Sequence, residues 1–431
     1  MAGLSDAPFI EALAVPAVCA LIVFLSYFTQ YIFHSDPDLL PGPPSRTETV
    51  VFNVLLLCLW ISYFRAVTVD PGRYVFDDQV LDASDSSRWC KKCQAPKPPR
   101  AHHCRHCRRC IPKMDHHCPW THNCVSMTTF PHFLRFLVYA NLSLWTLGYL
   151  LWQRFLALWE TRLMPSHLGP SLFALVGLSA TALTWSVTSL LLGLMLFGTL
   201  KGWVLNRTSI EELEHDRHEA NFRSGGGAAR DWWDLTGPDG ERLQFEHVEF
   251  PYDVGFFANM AQAMGTSNVL LWFFPLAGNP RVSKTRTGPG WTWEENGFNR
   301  KEGMWPPINP EKLRLAKREM GVSRRNYEME LEDYGLSTEE QVEAFRRRQE
   351  QDFRRRNRNL MAELEEVDAY EQVNRGSDDE GSLFGWTHAD GDSLADYGVD
   401  EDAEEEEEED EDVPLAELLR RRNGTGVYVD E

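Results

Sequence analysis

The chain has 431 residues and a formal net charge of −21, yet that charge is localised: residues 376–413 hold 18 Asp or Glu and no Lys or Arg, and without them the balance is −3. The mean hydropathy of −0.37 averages a very apolar N-terminal half with a charged C-terminal half, so composition has to be read by segment. Nine cysteines are too few for a disulfide scaffold, and seven fall between Cys90 and Cys124; this points to metal or catalytic thiols in a reducing compartment, and away from a basic nucleic-acid-binding protein, a secreted disulfide mini-domain or a simple soluble enzyme.

After a short N-terminus, residues 1–11, residues 12–33 form a first candidate membrane span and residues 49–69 a second, joined by a loop at 34–48. Each approaches the ~20 apolar residues that a helix needs to cross a bilayer. No positive region precedes the first, and an equally apolar segment follows it, so it reads as a retained span and not as a cleaved signal peptide.

The loop at 70–132 contains CKKCQAPKPPRAHHCRHCRRCIPKMDHHCPWTHNC, which obeys an internal rule. Cys90, Cys93, His103 and Cys110 are spaced C-x2-C-x9-H-x6-C, and Cys104, Cys107, His117 and Cys124 repeat the pattern 14 residues on. Two close thiolates make a knuckle, and a later His and Cys close a tetrahedron, a donor set that suits zinc. With all four positions of each site filled by protein, two structural zinc ions are expected, holding together a loop with almost no aliphatic core. His102, His106, His116 and His122 lie near enough to compete; the spacing favours His103 and His117.

A third application of the rule begins at Cys118 and fails at once, because the next positions are Thr121, Pro131 and Val138. Cys118 is left as a thiol between two ligands, with Asp115 and His116 just before it. A Cys beside a His that is itself beside a carboxylate has the parts of an activated nucleophile: a base to take the proton and an acid to orient the base. The plainer alternative is a small buried residue or a spare ligand. Zinc with three thiolates and a neutral His sums to about −1 and would disfavour another thiolate. Compensation is available from the nine Lys or Arg between Ser86 and Met114, a stretch without an acidic residue. They offset the thiolates and suit a phosphorylated cofactor.

Residues 133–153 and 171–200 form the third and fourth spans, with a loop at 154–170. Small residues such as Ala140, Ser143, Gly148, Gly177 and Ser179 either pack helices or line a cavity. Residues 65–132 carry 11 Lys or Arg against Arg46 alone in the first loop, so by the positive-inside rule the cysteine-rich loop and both termini are cytosolic, and loops 34–48 and 154–170 are lumenal. Residues 201–310 follow, broken by Gly225, Gly226 and Gly227 and by Pro306, Pro307 and Pro310. Residues 311–375 read as a charged helical region, in which Ser337 with Glu340 forms a capping-box pattern ahead of a charged stretch to about Glu366, and 376–431 reads as an acidic disordered tail. The expected fold is an α-helical polytopic membrane protein with four transmembrane helices, a cytosolic zinc-bound loop between the second and third, and a partly disordered C-terminal tail.

At Asp115, His116, His117 and Cys118, followed by Pro119, Trp120, Asn123 and Cys124, the sequence resembles the DHHC family of protein S-acyltransferases. The resemblance covers the cysteine-rich loop and its flanking spans. It implies a four-span enzyme that takes a fatty acyl group, typically palmitoyl, from acyl-CoA onto its cysteine and passes it to a cysteine of a membrane-proximal protein, with no nucleic-acid partner. By position it makes Cys118 the acyl acceptor, His116 the base, Asp115 its orienter and His117 a zinc ligand. Asp70, Pro71 and Gly72 resemble the family's DPG motif; Thr208, Ser209, Ile210 and Glu211 resemble its TTxE motif, with Ser for the second Thr. Ser126 and Thr129 stand where many members have Gly and Asn. Residues 252–275, with Asn259 and Gly265, resemble the segment that packs on the active site. Together with the run at 129–136 they look most like the fungal branch of the endoplasmic reticulum.

Two alternatives come from other classes. A non-catalytic membrane-anchored zinc module, such as a ubiquitin-ligase adaptor, leaves Asp115, His116 and Cys118 idle. A transporter would use the spans for a solute, and their lack of Asp, Glu or Lys in the membrane interior argues against an ion pathway, Asn141 in the third span being a polar exception.

Overall fold

In the computed structural model, residues 8–76, 88–165, 168–223, 247–300, 304–307 and 394–399 are described. Residues 1–7, the triple-glycine loop, the charged region at 311–375 and most of the acidic tail lie outside them. The chain divides into two units, and the spans, the cysteine-rich loop and the candidate site all belong to the first: Met1–Glu219, Val248–Pro306 and His388–Glu431. Of the second, Ala220–His247 with Pro307–Thr387, the described residues are the end of one helix, His247 and Pro307.

Four helical segments are long and apolar enough to cross a membrane, and the chain is a multi-pass membrane protein. The first span comprises α1 (Pro8–Val23), a π-helical turn (Phe24–Phe28) and α2 (Thr29–Ser35). At the π turn the regular hydrogen-bond ladder is displaced, and local hydroxyls bond the carbonyls: Ser26 Oγ donates to Ile22 O at 2.5 Å and Thr29 Oγ1 to Phe24 O at 3.4 Å. The second span, α3 (Arg46–Thr68), starts at a capping box, in which Ser45 Oγ accepts from Glu48 N while Glu48 Oε2 accepts from Ser45 N.

The third and fourth spans, α4 (Phe130–Glu160) and α5 (Leu172–Leu205), run past the apolar windows at 133–153 and 171–200. Hydropathy marks where lipid begins, whereas backbone hydrogen bonds mark where a helix ends, and both helices project beyond the apolar layer. Pro131 in the first turn of α4 loses no intrahelical bond, since the N–H groups there have no partner in any helix. α4 is the central element, packed on α3 and α5. α5 presents Leu183, Leu190, Leu194 and Phe197 outward, each more than half exposed, as a lipid-facing helix should. Gly148 lies against the Trp185 ring and Gly177 against Ile32, so these small residues serve helix contact and not a cavity wall.

Six short strands between α3 and α4 form three antiparallel hairpins: β1 (Trp89–Cys90) with β2 (Ala95–Pro96), β3 (His102–Cys104) with β4 (Arg109–Ile111), and β5 (His116–Cys118) with β6 (Asn123–Val125). The 14-residue repeat is a structural repeat. His103 pairs with Cys110 and His117 with Cys124, and Gln94, Arg108 and His122, also 14 apart, all take left-handed backbone at φ 49, 52 and 48°. The third hairpin therefore keeps the knuckle turn although Thr121 has replaced the second cysteine.

After α5 come α6 (Ser209–Arg223), α7 (Phe256–Met264) and α8 (Val269–Trp272). Within the tail, expected to be disordered throughout, residues 394–399 fold back: Leu394–Tyr397 make a 3-10 turn and Val399 bridges Cys104. Leu394 and Val399 are buried apolar side chains of this segment.

Candidate active site and metal centres

The hairpins of the cysteine-rich loop are tied to the span ends by side chains bonding to loose carbonyls. Asn123 Nδ2 donates to Ala66 O at 3.0 Å and Val69 O at 2.8 Å, capping α3, and Tyr63 Oη donates to Trp120 O at 2.9 Å. Ser126 Oγ reaches Pro71 O and Thr128 Oγ1 reaches Asp70 O, both at 2.7 Å, while Thr129 Oγ1 donates to Cys124 O at 2.6 Å. Ser126 and Thr129 thus hold the Asp70-Pro71-Gly72 turn and the start of α4. Gly72 is required there, because at φ 97° a Cβ would stand 2.7 Å from Pro112 Cγ.

The structure gathers two groups of four ligands: Cys90, Cys93, His103 and Cys110, and Cys104, Cys107, His117 and Cys124. In the first, His103 Nδ1 lies 3.4, 3.2 and 4.0 Å from the sulfurs of Cys90, Cys93 and Cys110. In the second, His117 Nδ1 lies 3.6, 3.7 and 3.4 Å from those of Cys104, Cys107 and Cys124. Zinc–sulfur and zinc–nitrogen bonds of ~2.3 and ~2.0 Å at tetrahedral angles put the ligand atoms ~3.5 Å apart. Both groups fit, and either could hold a zinc ion with no ligand position left open. His102, His106, His116 and His122 belong to neither.

Cys118 is 2% exposed and sits in the apolar cluster built by the membrane helices, with Phe133, Phe136 and Leu137. Strand alternation separates it from its neighbour: His117 turns into the second metal centre, while His116 and Cys118 share the other face. His116 Nδ1 is 2.7 Å from Asp115 Oδ2. Asp115 Oδ1 accepts from the Ser209 backbone N–H at 2.6 Å, so the first turn of α6 anchors the carboxylate whichever hydroxyl residue stands at 209.

Burial alone would raise the Cys118 thiol, but the hydrogen bond and charge of His116, with Thr121 assisting, hold it below its ordinary value. Burial alone would lower His116; Asp115 and Cys118 outweigh it and push the imidazole up to about 10. Asp115 stays below the usual carboxylate range because contacts from His116 and Ser209 overcome its burial. All three shifts act in the direction that favours carboxylate, imidazolium and thiolate.

Supporting residues that spacing did not single out complete the site. Thr208 and Glu211 make a capping box at the start of α6, and the same Glu211 carboxylate takes Arg100 Nε at 2.6 Å and Nη2 at 2.7 Å in a fully buried pair. Arg100 also lies over the Tyr252 and Trp293 rings. Asn206, the left-handed cap of α5, accepts from Lys113 Nζ and donates to Tyr252 O and Gln262 Oε1. Buried Arg135 bonds the carbonyls of Leu271, Trp272 and Ala277, fixing the chain after α8 to α4. A small pocket beside Asp115 is lined by Lys113, Arg207, Thr208 and Trp293. Of these residues only Thr121 had a signal in the spacing, as the position where the third repeat loses its cysteine.

A family model for DHHC palmitoyltransferases matches residues 83–216. The chain is 58% identical to the palmitoyltransferase PFA4 of Gibberella zeae over 98% of both chains, and 46% identical to that of Neurospora crassa over 96% of both. It is 29% identical to palmitoyltransferase PFA4 of Saccharomyces cerevisiae over 67% of this chain and 79% of that one.

Proposed function

Since the chain belongs to the DHHC palmitoyltransferase family and is a protein S-palmitoyltransferase, we propose that Cys118 is its acyl acceptor, His116 its acid and base, and Asp115 the group that orients His116. The observation that carries this is a knuckle cysteine without a metal partner, held instead between His116 and Thr121 at the edge of the membrane core.

With Nδ1–H given to Asp115, His116 turns Nε2 toward Cys118. The Cys118 thiolate attacks the thioester carbonyl of acyl-CoA, and the departing CoA sulfur takes the proton from His116. The now neutral His116 takes a proton from the thiol of a substrate protein. That thiolate attacks the acyl-Cys118 thioester, and Cys118 leaves as a thiolate beside the imidazolium. Both steps exchange one thioester for another, so neither is strongly uphill. The acyl chain stays in apolar surroundings worth ~0.8 kcal/mol per CH2, while CoA remains in water beside the basic loop. Zinc in the two four-ligand centres would hold the hairpins and take no part in the chemistry.

The excess of basic residues in 65–132 supports a cytosolic site, and the likeness to the fungal branch supports the endoplasmic reticulum membrane. Incubating the purified protein with clickable palmitoyl-CoA should label it in a hydroxylamine-sensitive bond, and adding a cysteine-containing acceptor protein should move the label. Unchanged labelling in Cys118→Ser would place the nucleophile elsewhere.

A further inference from the structure

The second metal centre has a cover that the family's chemistry does not require. Residues 394–399 lie along the outer edge of β3: Val399 makes an antiparallel bridge with Cys104, and the Arg105 N–H donates to Gly398 O at 3.1 Å. Cys104 therefore has β4 on one side and the tail on the other. The segment closes on itself through Val399 N–H to Leu394 O at 3.3 Å, and buries Leu394 and Val399 to 8% and 3% exposure. Gly398 faces the metal ligand directly. At φ 79° any side chain there is strained, and a Cβ would stand 2.8 Å from His117 Cβ and 3.5 Å from His106 Cδ2. The His106 ring stacks on His117 with centroids 4.5 Å apart. Backbone of the tail and the ring of His106 thus enclose the imidazole that completes the centre.

We propose that residues 394–399 are an intramolecular docking segment, a 3-10 turn whose end bridges the edge of β3 at Cys104, and that this segment governs how fast the second metal centre releases its metal. A metal leaves a four-ligand site by losing ligands one at a time, and His117 cannot swing away from Cys104, Cys107 and Cys124 while Gly398 lies on its Cβ. The hairpins are two or three residues long and have little core of their own, so an added segment with two apolar anchors is a large fraction of what holds them. Tethering makes the contact intramolecular, with an effective concentration of the order of mM for a flexible linker. In sequence, acidic residues flank the segment at Asp390, Asp392 and from Asp400 onward, and the loop it docks on is basic, so charge favours the same contact and salt weakens it. The first centre has a different cover, Tyr74 and Trp291 packed with Cys90 and Cys110, and serves as an internal control.

The test uses the full-length zinc-loaded protein in detergent, with zinc transfer to a chromophoric chelator followed in time. Gly398→Val should speed release from one of the two centres by about tenfold and leave the other unchanged. Raising the salt should speed the same centre in the wild type and have little effect in the variant. Equal release from wild type and Gly398→Val overturns the proposal. Should that variant fail to fold, hydrogen exchange in the wild type decides. An Arg105 amide slowed by about tenfold or more supports the bridge, and one exchanging as fast as unstructured chain overturns it. Because zinc release is the readout, loss of acyl transfer neither mimics nor masks either result.

Discussion

Cys118, His116, Asp115 and Thr121 divide one proton and one negative charge among them, and each substitution should fail in its own way. Cys118→Ser should abolish hydroxylamine-sensitive acylation, because a hydroxyl at neutral pH is a far weaker nucleophile than a thiol, yet retain both zinc ions, since Cys118 is in neither ligand group. A zinc count lower by one would show that it is a ligand. His116 holds the Cys118 thiol below its ordinary value, so in His116→Ala the thiol should move back toward ~8.5. The sign follows: at pH 7 the thiolate becomes scarce, and residual autoacylation should climb from about pH 7 to about 9, while the wild type, whose thiol is held lower, should rise less. Asp115→Ala and Thr121→Val should give milder versions of the same slope. Autoacylation-rate profiles against pH check all three, and a flat profile in His116→Ala would remove His116 as the base. Cys118 was legible in the sequence as the odd residue, because removing the six cysteine ligands from the seven cysteines at 90–124 leaves one. Its second partner was not, since Thr121 presents itself there only as a failed ligand.

Between elements, the buried Arg100–Glu211 pair joins the turn before β3 to the first turn of α6, whose Ser209 N–H holds Asp115. Removing one member of a buried pair strands the other, at ~3–5 kcal/mol. Glu211→Ala should accordingly lower thermal stability and slow autoacylation together, and in Arg100→Ala the second effect should follow the first. A variant with normal melting and normal rate would show that α6 does not steady the site. Cys93→Ser and Cys107→Ser should each lose a zinc ion, read by metal analysis. Hairpins and ligand groups could be read from spacing, because a metal fixes distances along the chain. The partners of Arg100, Asn206 and Arg135 could not, because each pairing spans more than ninety residues or meets backbone carbonyls that carry no letter of their own.

Over the whole molecule, four spans follow from apolar length alone, whereas their sidedness rests on the basic loop and invites a direct check. Protease added to sealed microsomes should remove the acidic tail; protection of that tail would reverse the topology. The sequon beginning at Asn206 is a poor reporter, because Asn206 is 2% exposed and bonded to Lys113, Tyr252 and Gln262, and would stay bare on either side. Asn423, followed by Gly424 and Thr425, is the better one, and a mobility shift with glycosidase would place the C-terminus in the lumen. The folded portion of the tail escaped the sequence reading because one Leu, one Tyr and one Val among acidic residues look like composition and not like a pattern.

The alternation along β5 also limits how this enzyme can change by descent. Letters in the segment can be exchanged one at a time, but its length cannot. Deleting His117, or inserting one residue beside it, would put the Cys118 thiol on the face of the metal ligands, so the Cys118 site and the second metal centre would be lost in one event. Lineages should therefore show substitutions here, including ones that silence the enzyme while sparing its metal, and almost no gaps. An aligned set of relatives in which indels fall within 115–124 as often as in the loops on either side would contradict this.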